Sequence, residues 1–422
     1  MEQGDVQVKM EGQMRGMLDR AVIADRRFLD DEQLIRAEQH AVLEEVFNAN
    51  VRDREIREIS CHFAPILRRD HPMHLALWGK TGTGKTVTMN YFLRFLRGLC
   101  RKDGIELRHV HLDLTTARPS FRALNDLACL LNASKRYRKG ISLEELMLRI
   151  ETTLAPYKGY LVLFVDEVDN IRRDRDTLLA FLVRRLPQRI PGKLILVFAS
   201  NRLDWCDQLD PRTKSFLKLN ELTFPPYDAE DLQKILQIRV RKALRPGALE
   251  AGVTEKIAAL SSREHGDARK AVALLAKGAF LAEKNGTPIT LELVDQAAAE
   301  IEQDKYANML RSAPAQLKAA VAAIIDASRR SRAPLIGSNE AYEAYRAFCQ
   351  RVDIKPLTLR AFGDLIGELD MYSFIRARVE SQGRYGRCRK IALDIPPEIT
   401  AGLYNVVLNH FDGPRRGAVR TQ

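Results

Sequence analysis

His74-Leu75-Ala76-Leu77-Trp78-Gly79-Lys80-Thr81-Gly82-Thr83-Gly84-Lys85-Thr86-Val87 is the stretch that decides the fold. Its first five residues form an apolar run of the length of a buried strand. Gly79 to Thr86 then fits G-x-x-x-x-G-K-S/T, a loop whose glycines let backbone N–H groups turn inward around phosphate oxygens. From Val87 to Leu99 apolar residues recur at helical spacing. A strand, a glycine loop and a helix in this order place phosphates at a helix N-terminus, which favours anions. Lys85 is expected to reach the β- and γ-phosphates, and the Thr86 hydroxyl to ligate Mg²⁺. Gly79, Gly82, Thr83, Gly84 and, at the helix start, Val87 complete the expected lining of an ATP or ADP site.

A second motif lies further along. Leu161-Val162-Leu163-Phe164-Val165 is an apolar strand that ends in Asp166-Glu167. In a parallel sheet it delivers both acids to the edge that carries the phosphate loop. Asp166 is placed to hold Mg²⁺, partly through water, and Glu167 to orient and polarise an attacking water. Asn201, after the next apolar run, can lie between the two motifs and touch the γ-phosphate or that water. Taken singly, an acidic turn or a strand-ending asparagine has a purely structural reading; the phosphate loop at this distance makes the functional one the better of the two.

Strands are expected at His74–Trp78, Leu107–Leu112, Leu161–Val165 and Leu194–Ala199, with helices between them. A helical pattern runs from Asp31 to Asn48, after a loosely ordered leader. Phe224-Pro225-Pro226-Tyr227-Asp228 breaks the alternation, because the prolines cannot continue a helix and Asp228 can cap the next one. Helical stretches follow at Ala229–Ala243, Glu250–His265, Ala268–Asn285 and Leu291–Gln303, and a linker is expected near Gln303–Pro314. Beyond it, helical patterns over Ala315–Arg329, Ser338–Arg351 and Leu357–Leu369 precede two strand-like runs, Phe374–Val379 and Lys390–Leu393. Three helices and a β-hairpin describe a winged helix. The expected fold is α/β: a parallel-sheet nucleotide-binding domain (31–225), an all-α lid (226–303) and a C-terminal winged-helix domain (311–412), between a leader (1–30) and a basic tail (413–422).

Hydrophobic residues make up 45% of the 422, enough for several cores. No apolar run approaches the roughly 20 residues that span a bilayer, and Met1 to Arg20 has no apolar stretch of the secretory kind. No pair of the six cysteines has C-x-x-C spacing, so neither a zinc site nor a disulfide framework is indicated. No membrane partner and a cytoplasmic place are expected. Net charge is +12, and from Arg311 onward 18 Lys/Arg face 11 Asp/Glu, so more than half of the excess sits in the last quarter of the chain. That distribution suits a polyanionic partner.

The order of phosphate loop, Asp-Glu strand, Asn strand and helical lid resembles the AAA+ ATPases. Ser200-Asn201, Leu209-Asp210-Pro211-Arg212-Thr213-Lys214-Ser215, Phe224-Pro225-Pro226-Tyr227, Gly266-Asp267-Ala268-Arg269-Lys270-Ala271 and Gly383-Arg384-Tyr385-Gly386-Arg387 are similar to segments of archaeal replication initiators. These are relatives of the origin recognition complex and of the cell-division-cycle loader ATPase. The resemblance covers roughly residues 30–400. It implies that Arg269 senses the γ-phosphate from the lid, that Tyr227 and Arg239 contact the nucleotide, and that Arg212 or Lys214 acts across a subunit interface. Relatives carry a Pro-x-x-Arg-Glu pattern near the adenine pocket; the sequence reads Leu34-Ile35-Arg36-Ala37-Glu38, without the proline and the adjacent glutamate.

Two surfaces are candidates for double-stranded DNA. Leu357–Leu369 is the expected recognition helix, with Thr358 and Arg360 at its exposed start, facing base edges or phosphates. The wing carries Arg384, Tyr385, Arg387, Arg389 and Lys390. In the ATPase domain, Arg118 and Arg122 lie where relatives have an extra DNA-touching helix. The function implied is an ATP-regulated initiator. It would bind origin DNA on the nucleoid, help load the replicative helicase, act alone or with further copies or paralogues, and hydrolyse ATP slowly as a switch. A clamp-loader-like remodelling motor and a nucleotide-gated winged-helix transcription regulator are the alternatives.

Overall fold

The computed structural model describes residues 22–29, 40–115, 120–132, 140–171, 175–263, 266–331, 335–381 and 387–412, which divide into two units, 1–294 and 295–422. The sheet of the first unit consists of β1 (His74–Trp78), β2 (Leu107–Asp113), β3 (Tyr160–Asp166), β4 (Lys193–Ser200) and β5 (Leu219–Thr223), in the order β2-β3-β4-β1-β5 and parallel throughout. β3 is buried at every residue and β4 at all but its first. Strands apolar on both faces are stable only between two layers of helices, and the period of two along β3 shows both layers. Leu161, Leu163 and Val165 face one core, Val162 and Phe164 the other.

The helices before the lid are α1 (His40–Asn48), α2 (Asp53–Phe63), α3 (Lys85–Lys102), α4 (Ser120–Leu130), α5 (Leu143–Leu154), α6 (Arg175–Ala180), which runs on through a π turn, and α7 (Pro211–Phe216). Leu124 and Leu127 of α4 and Leu146 and Ile150 of α5 pack on the first face. Ile59 and Phe63 of α2 and Met89, Leu93 and Leu96 of α3 pack on the second. All four expected strands are present. β5 was not anticipated: it is an edge strand whose residues, Leu222 apart, are largely open to solvent, so no apolar run marks it.

The lid is built from α8 (Ala229–Ala243), α9 (Val253–Arg263), α10 (Ala268–Asn285) and the start of α11 (Leu291–Ser312). Asp228 caps α8 by accepting from the Asp231 N–H, as its sequence position indicated. The leader requires correction. Residues 22–29 are not loose, because Val22 and Leu29 are buried, Ala24 N–H donates to Ala243 O (2.7 Å), and Arg245 N–H donates to Val22 O (3.0 Å). A short stretch of apolar side chains within a polar leader gave it something to bury.

In the second unit, α11 is followed by α12 (Ala315–Arg330), β6 (Ile336–Gly337), α13 (Ser338–Arg351), α14 (Leu359–Met371), β7 (Ile375–Ser381), β8 (Arg387–Leu393) and α15 (Pro397–Asp412). β7 and β8 form the antiparallel hairpin and β6 joins it through Ile336 opposite Ile391. This is the winged helix, with β6 and α15 added to the expected set. The linker expected at Gln303–Pro314 is helical through Ser312. Tyr306, Ala307 and Leu310 keep helical spacing and are buried in the same core as Phe374, whose ring lies 5.0 Å from that of Tyr306.

A fragment starting at Asp295 is therefore expected to melt cooperatively. One starting at Arg311 loses Tyr306 and Leu310, each contributing about 1.5–3 kcal/mol of burial, and should melt at a clearly lower temperature. Equal melting temperatures by circular dichroism would show that α11 does not belong to this core.

Candidate functional site

β4 lies between β1 and β3, so the C-terminal ends of all three meet at one edge of the sheet. The end of β1 delivers Gly79–Thr86, that of β3 Asp166 and Glu167, and that of β4 Ser200 and Asn201. Gly82 and Gly84 have φ of +76° and +85°, a backbone that residues with a Cβ rarely adopt. Lys85 opens α3 with its ammonium buried. It donates to Gly79 O (2.7 Å), Lys80 O (2.9 Å) and Asn201 Oδ1 (2.9 Å). Burial pushes its pKa down and the nearby charge of Arg269 adds to this, while Asp166, Glu167 and Asp169 oppose both.

Thr86 Oγ1 donates to Asp166 Oδ2, which brings the two expected Mg²⁺ ligands together. Asp166 is buried, which by itself raises its pKa. Its neighbours His111 and Thr86 outweigh that and hold the carboxyl below the usual range. Glu167 goes the other way. Burial and the charges of Asp166, Asp113 and Asp169 raise it, against a hydrogen bond from Asn170. Neighbouring acids thus diverge, the lower suited to hold a cation and the higher to accept a proton. Asp169 Oδ1 accepts from Ser200 Oγ (2.7 Å) and from Asn201 N–H (3.3 Å), tying the turn after β3 to the end of β4.

The lid closes over the loop. Asp267 caps α10 through the N–H groups of Arg269 and Lys270, and the Ala268 N–H donates to Gly82 O (3.2 Å). One cavity is lined by Gly82, Lys85, Thr86, Asp166, Glu167, Asn201, Tyr227, Arg239 and Arg269. Gly79 and Thr83 hold the loop from behind, Gly79 against Phe224 and Thr83 by donating to Lys80 O. Val87 is among the lining residues. Arg239 is buried, with one N–H donating to Phe28 O (2.9 Å).

Sequence reasoning missed two groups. The apolar wall comes from Val42, Leu43, Val46 and Phe47 of α1 and Ile235 of α8, whereas Leu34–Glu38, compared with the relatives' pattern, lies outside the described residues. Arg52 is buried with its guanidinium 3.8 Å over the Tyr227 ring, and it donates to Thr83 O (2.9 Å) and Pro225 O (2.5 Å). Glu55, one turn on, is its ion-pair partner (3.3 Å). An Arg and a Glu three residues apart at a helix start was the available signal.

Lys214 is ion-paired with Asp207 (2.7 Å), while Arg212 is exposed with no side-chain partner among the described residues. Arg122 is exposed on α4, and Arg118 lies outside the described residues. In the winged helix, Arg360 is exposed at the start of α14, and Thr358 caps that helix by accepting from the Ala361 N–H. Arg389 donates to Gly363 O (3.1 Å), joining β8 to α14, and both line a groove with Arg360 and Asn339. Arg384 and Tyr385 lie outside the described residues; Arg387 begins β8.

Family models match the chain in three stretches: an AAA ATPase domain over 51–197, a Cdc6 AAA+ ATPase-type lid domain over 233–299 and a CDC6 C-terminal winged helix domain over 308–401. The ORC1-type DNA replication protein of Pyrococcus abyssi is 34% identical over 355 residues, covering 82% of this chain and 84% of that protein. The chain belongs to the ORC1-type DNA replication protein family. The ORC1-type protein 1 of Methanosarcina mazei is 32% identical over 351 residues, covering 83% of this chain and 84% of its own length. The structure of Aeropyrum pernix ORC1 in complex with DNA matches with a TM-score of 0.70 at 29% identity, over 91% of this chain and 97% of that one. Cdc6p of Pyrobaculum aerophilum shares the fold, with a TM-score of 0.54 at 22% identity over 93% of this chain and 99% of its own. Membership in this family makes the AAA+ site one for ATP or ADP.

A Cβ on Gly84 would stand 2.2 Å from Tyr227 Oη at a φ of +85°. Gly84→Ala is therefore expected to weaken nucleotide binding by roughly five- to a hundredfold or more, through strain of about 1–3 kcal/mol in the loop. Titration with a fluorescent ATP analogue checks this, and wild-type affinity would mean that Tyr227 gives way freely.

Proposed function

We propose that this protein is an ATP-gated initiator that binds duplex DNA at replication start sites and helps recruit the replicative helicase, with hydrolysis as a slow switch. The observation that carries the reading is the docking of the lid on the phosphate loop. The Ala268 N–H bonds Gly82 O while Arg269, on the same helix end, shares one cavity with Lys85. A γ-phosphate between these two cations favours the closed lid and its loss favours release, which is the differential interaction a switch requires.

Thr86 and the ionised Asp166 offer the hard oxygen donors that Mg²⁺ takes. Bound there, the ion would supply positive charge against the negative charge of the phosphates. Lys85 holds the phosphates, Asn201 orients the terminal one or the water, and Glu167 takes the water's proton. Tyr227 and Arg239 hold the nucleotide's other end. Arg212 is the better candidate for a cation acting on a neighbouring copy, since Lys214 is already paired with Asp207.

For DNA, we assign the winged helix the main role, through Arg360 and the wing residues Arg384, Tyr385 and Arg387, with Thr358 setting the helix start. Arg118 and Arg122 give the ATPase domain a second contact. The relative from Aeropyrum pernix, solved with DNA and alike along nearly its whole length, supports this. The working division is 31–225 for nucleotide, 226–294 for the lid and 295–412 for DNA, the last including the helix through Ser312 whose Tyr306 and Leu310 lie in its core, in the cytoplasm with the nucleoid.

Lys85→Ala should abolish tight ATP binding. Glu167→Gln should keep binding and lose hydrolysis, because Asp166 still holds the metal; filter binding and phosphate release measure both, and a wild-type rate would remove Glu167 from its role. On DNA, Arg360→Ala should narrow the gap between origin and random duplex by roughly 1–3 kcal/mol. Arg384→Ala or Arg387→Ala should lower the salt slope by about one unit on every duplex. Wing variants that bind like wild type at every salt concentration would take the hairpin out of the interface.

A further inference from the structure

The turn that follows the two acids, Val168–Asn170, holds a residue with no role so far. Asn170 Nδ2 donates to Glu167 Oε2 (2.8 Å) and also to Thr115 O (3.1 Å), just beyond the end of β2. Both amide hydrogens are thereby engaged, one on a carboxylate and one on a carbonyl. The opposite orientation of the amide would set Oδ1 against two acceptors, so the chemistry of the partners decides it. Glu167 itself has a φ of +52°, a left-handed backbone unusual for a residue with a side chain. Its carboxylate thus stands on a strained pivot and, among the described residues, is steadied by the amide of Asn170.

We infer that Asn170 is the positioning residue for Glu167, clamping one carboxylate oxygen to the β2 end so that the other faces the attacking water. The inference rests on the reading of Glu167 as the water-activating group. A carboxylate with three rotatable bonds samples many orientations, and fixing one of them is worth rate rather than affinity. The clamp touches none of the groups that hold the phosphates. Lys85 is bonded to Gly79, Lys80 and Asn201, and Thr86 to Asp166. Asn201 is steadied separately, by Asp169. Loss of the Asn170 amide should therefore leave nucleotide binding alone and slow the chemical step.

The test uses the full-length protein. Asn170→Asp keeps the shape of the side chain and removes both donors, and Asn170→Ala removes the clamp without adding charge. Single-turnover hydrolysis and ATP affinity are measured for each, beside wild type and Glu167→Gln, with thermal melting to confirm folding. Both variants are expected to hydrolyse about ten- to a hundredfold more slowly, the scale of an ångström-size misplacement, with ATP affinity unchanged. A folded variant of either kind that hydrolyses at the wild-type rate overturns the inference. So does a parallel fall of rate and affinity, which would make Asn170 a support for the whole site. If Glu167→Gln itself hydrolyses normally, the underlying reading of Glu167 fails, and that outcome is separate from the other two.

Discussion

A buried ammonium organises this molecule. Lys85 is only 6% exposed, and an unpaired charge at such a depth is too costly to keep. Three oxygens face it, two from the loop that precedes it and one from Asn201 on the neighbouring strand. Asp166, Glu167 and Asp169 add compensating charge. Those groups come from three strands, so their convergence depends on β4 lying between β1 and β3 with parallel register. The glycines, the two acids and the asparagine are one electrostatic unit assembled by the sheet order.

A second buried cation does the same for the lid. The Arg52 guanidinium spans from Thr83 O on the loop to Pro225 O before the lid and stacks on Tyr227. Gly266, with φ of +61°, lets the chain pass so close to Tyr227 that a Cβ there would lie 2.3 Å from its carbonyl oxygen. Phosphate loop, proline break and lid helix are thus held by directed contacts as well as by apolar packing. Directed contacts of this kind have discrete arrangements, which makes them suited to switching.

Much of this was legible in the sequence because local chemistry is local. The glycines of the loop, the cap at Asp228, and the apolar strands ending in Asp166-Glu167 and Ser200-Asn201 each announce themselves within a few residues. What escaped lacked a local signature. β5 and the two-residue β6 are too short or too exposed to show a pattern. The helix through Ser312 was hidden because its buried positions, Tyr306, Ala307 and Leu310, face a core made by residues far along the chain.

By itself, then, the sequence determined the fold class, the nucleotide motifs and the order lid before winged helix, because turn chemistry, hydrophobic period and motif spacing act over short distances. Tertiary structure alone decided which unmarked residues complete the site. Arg52 became a tie between loop and lid, Asn170 a partner of Glu167, and α1 the apolar wall, and Lys214 is ion-paired with Asp207. The physical reason is that the Arg52 tie and the α1 wall are contacts between segments distant in the chain, while the Asn170 and Lys214 contacts, though short in sequence, depend on how the turn after β3 and the start of α7 orient their side chains, which residue type alone does not specify.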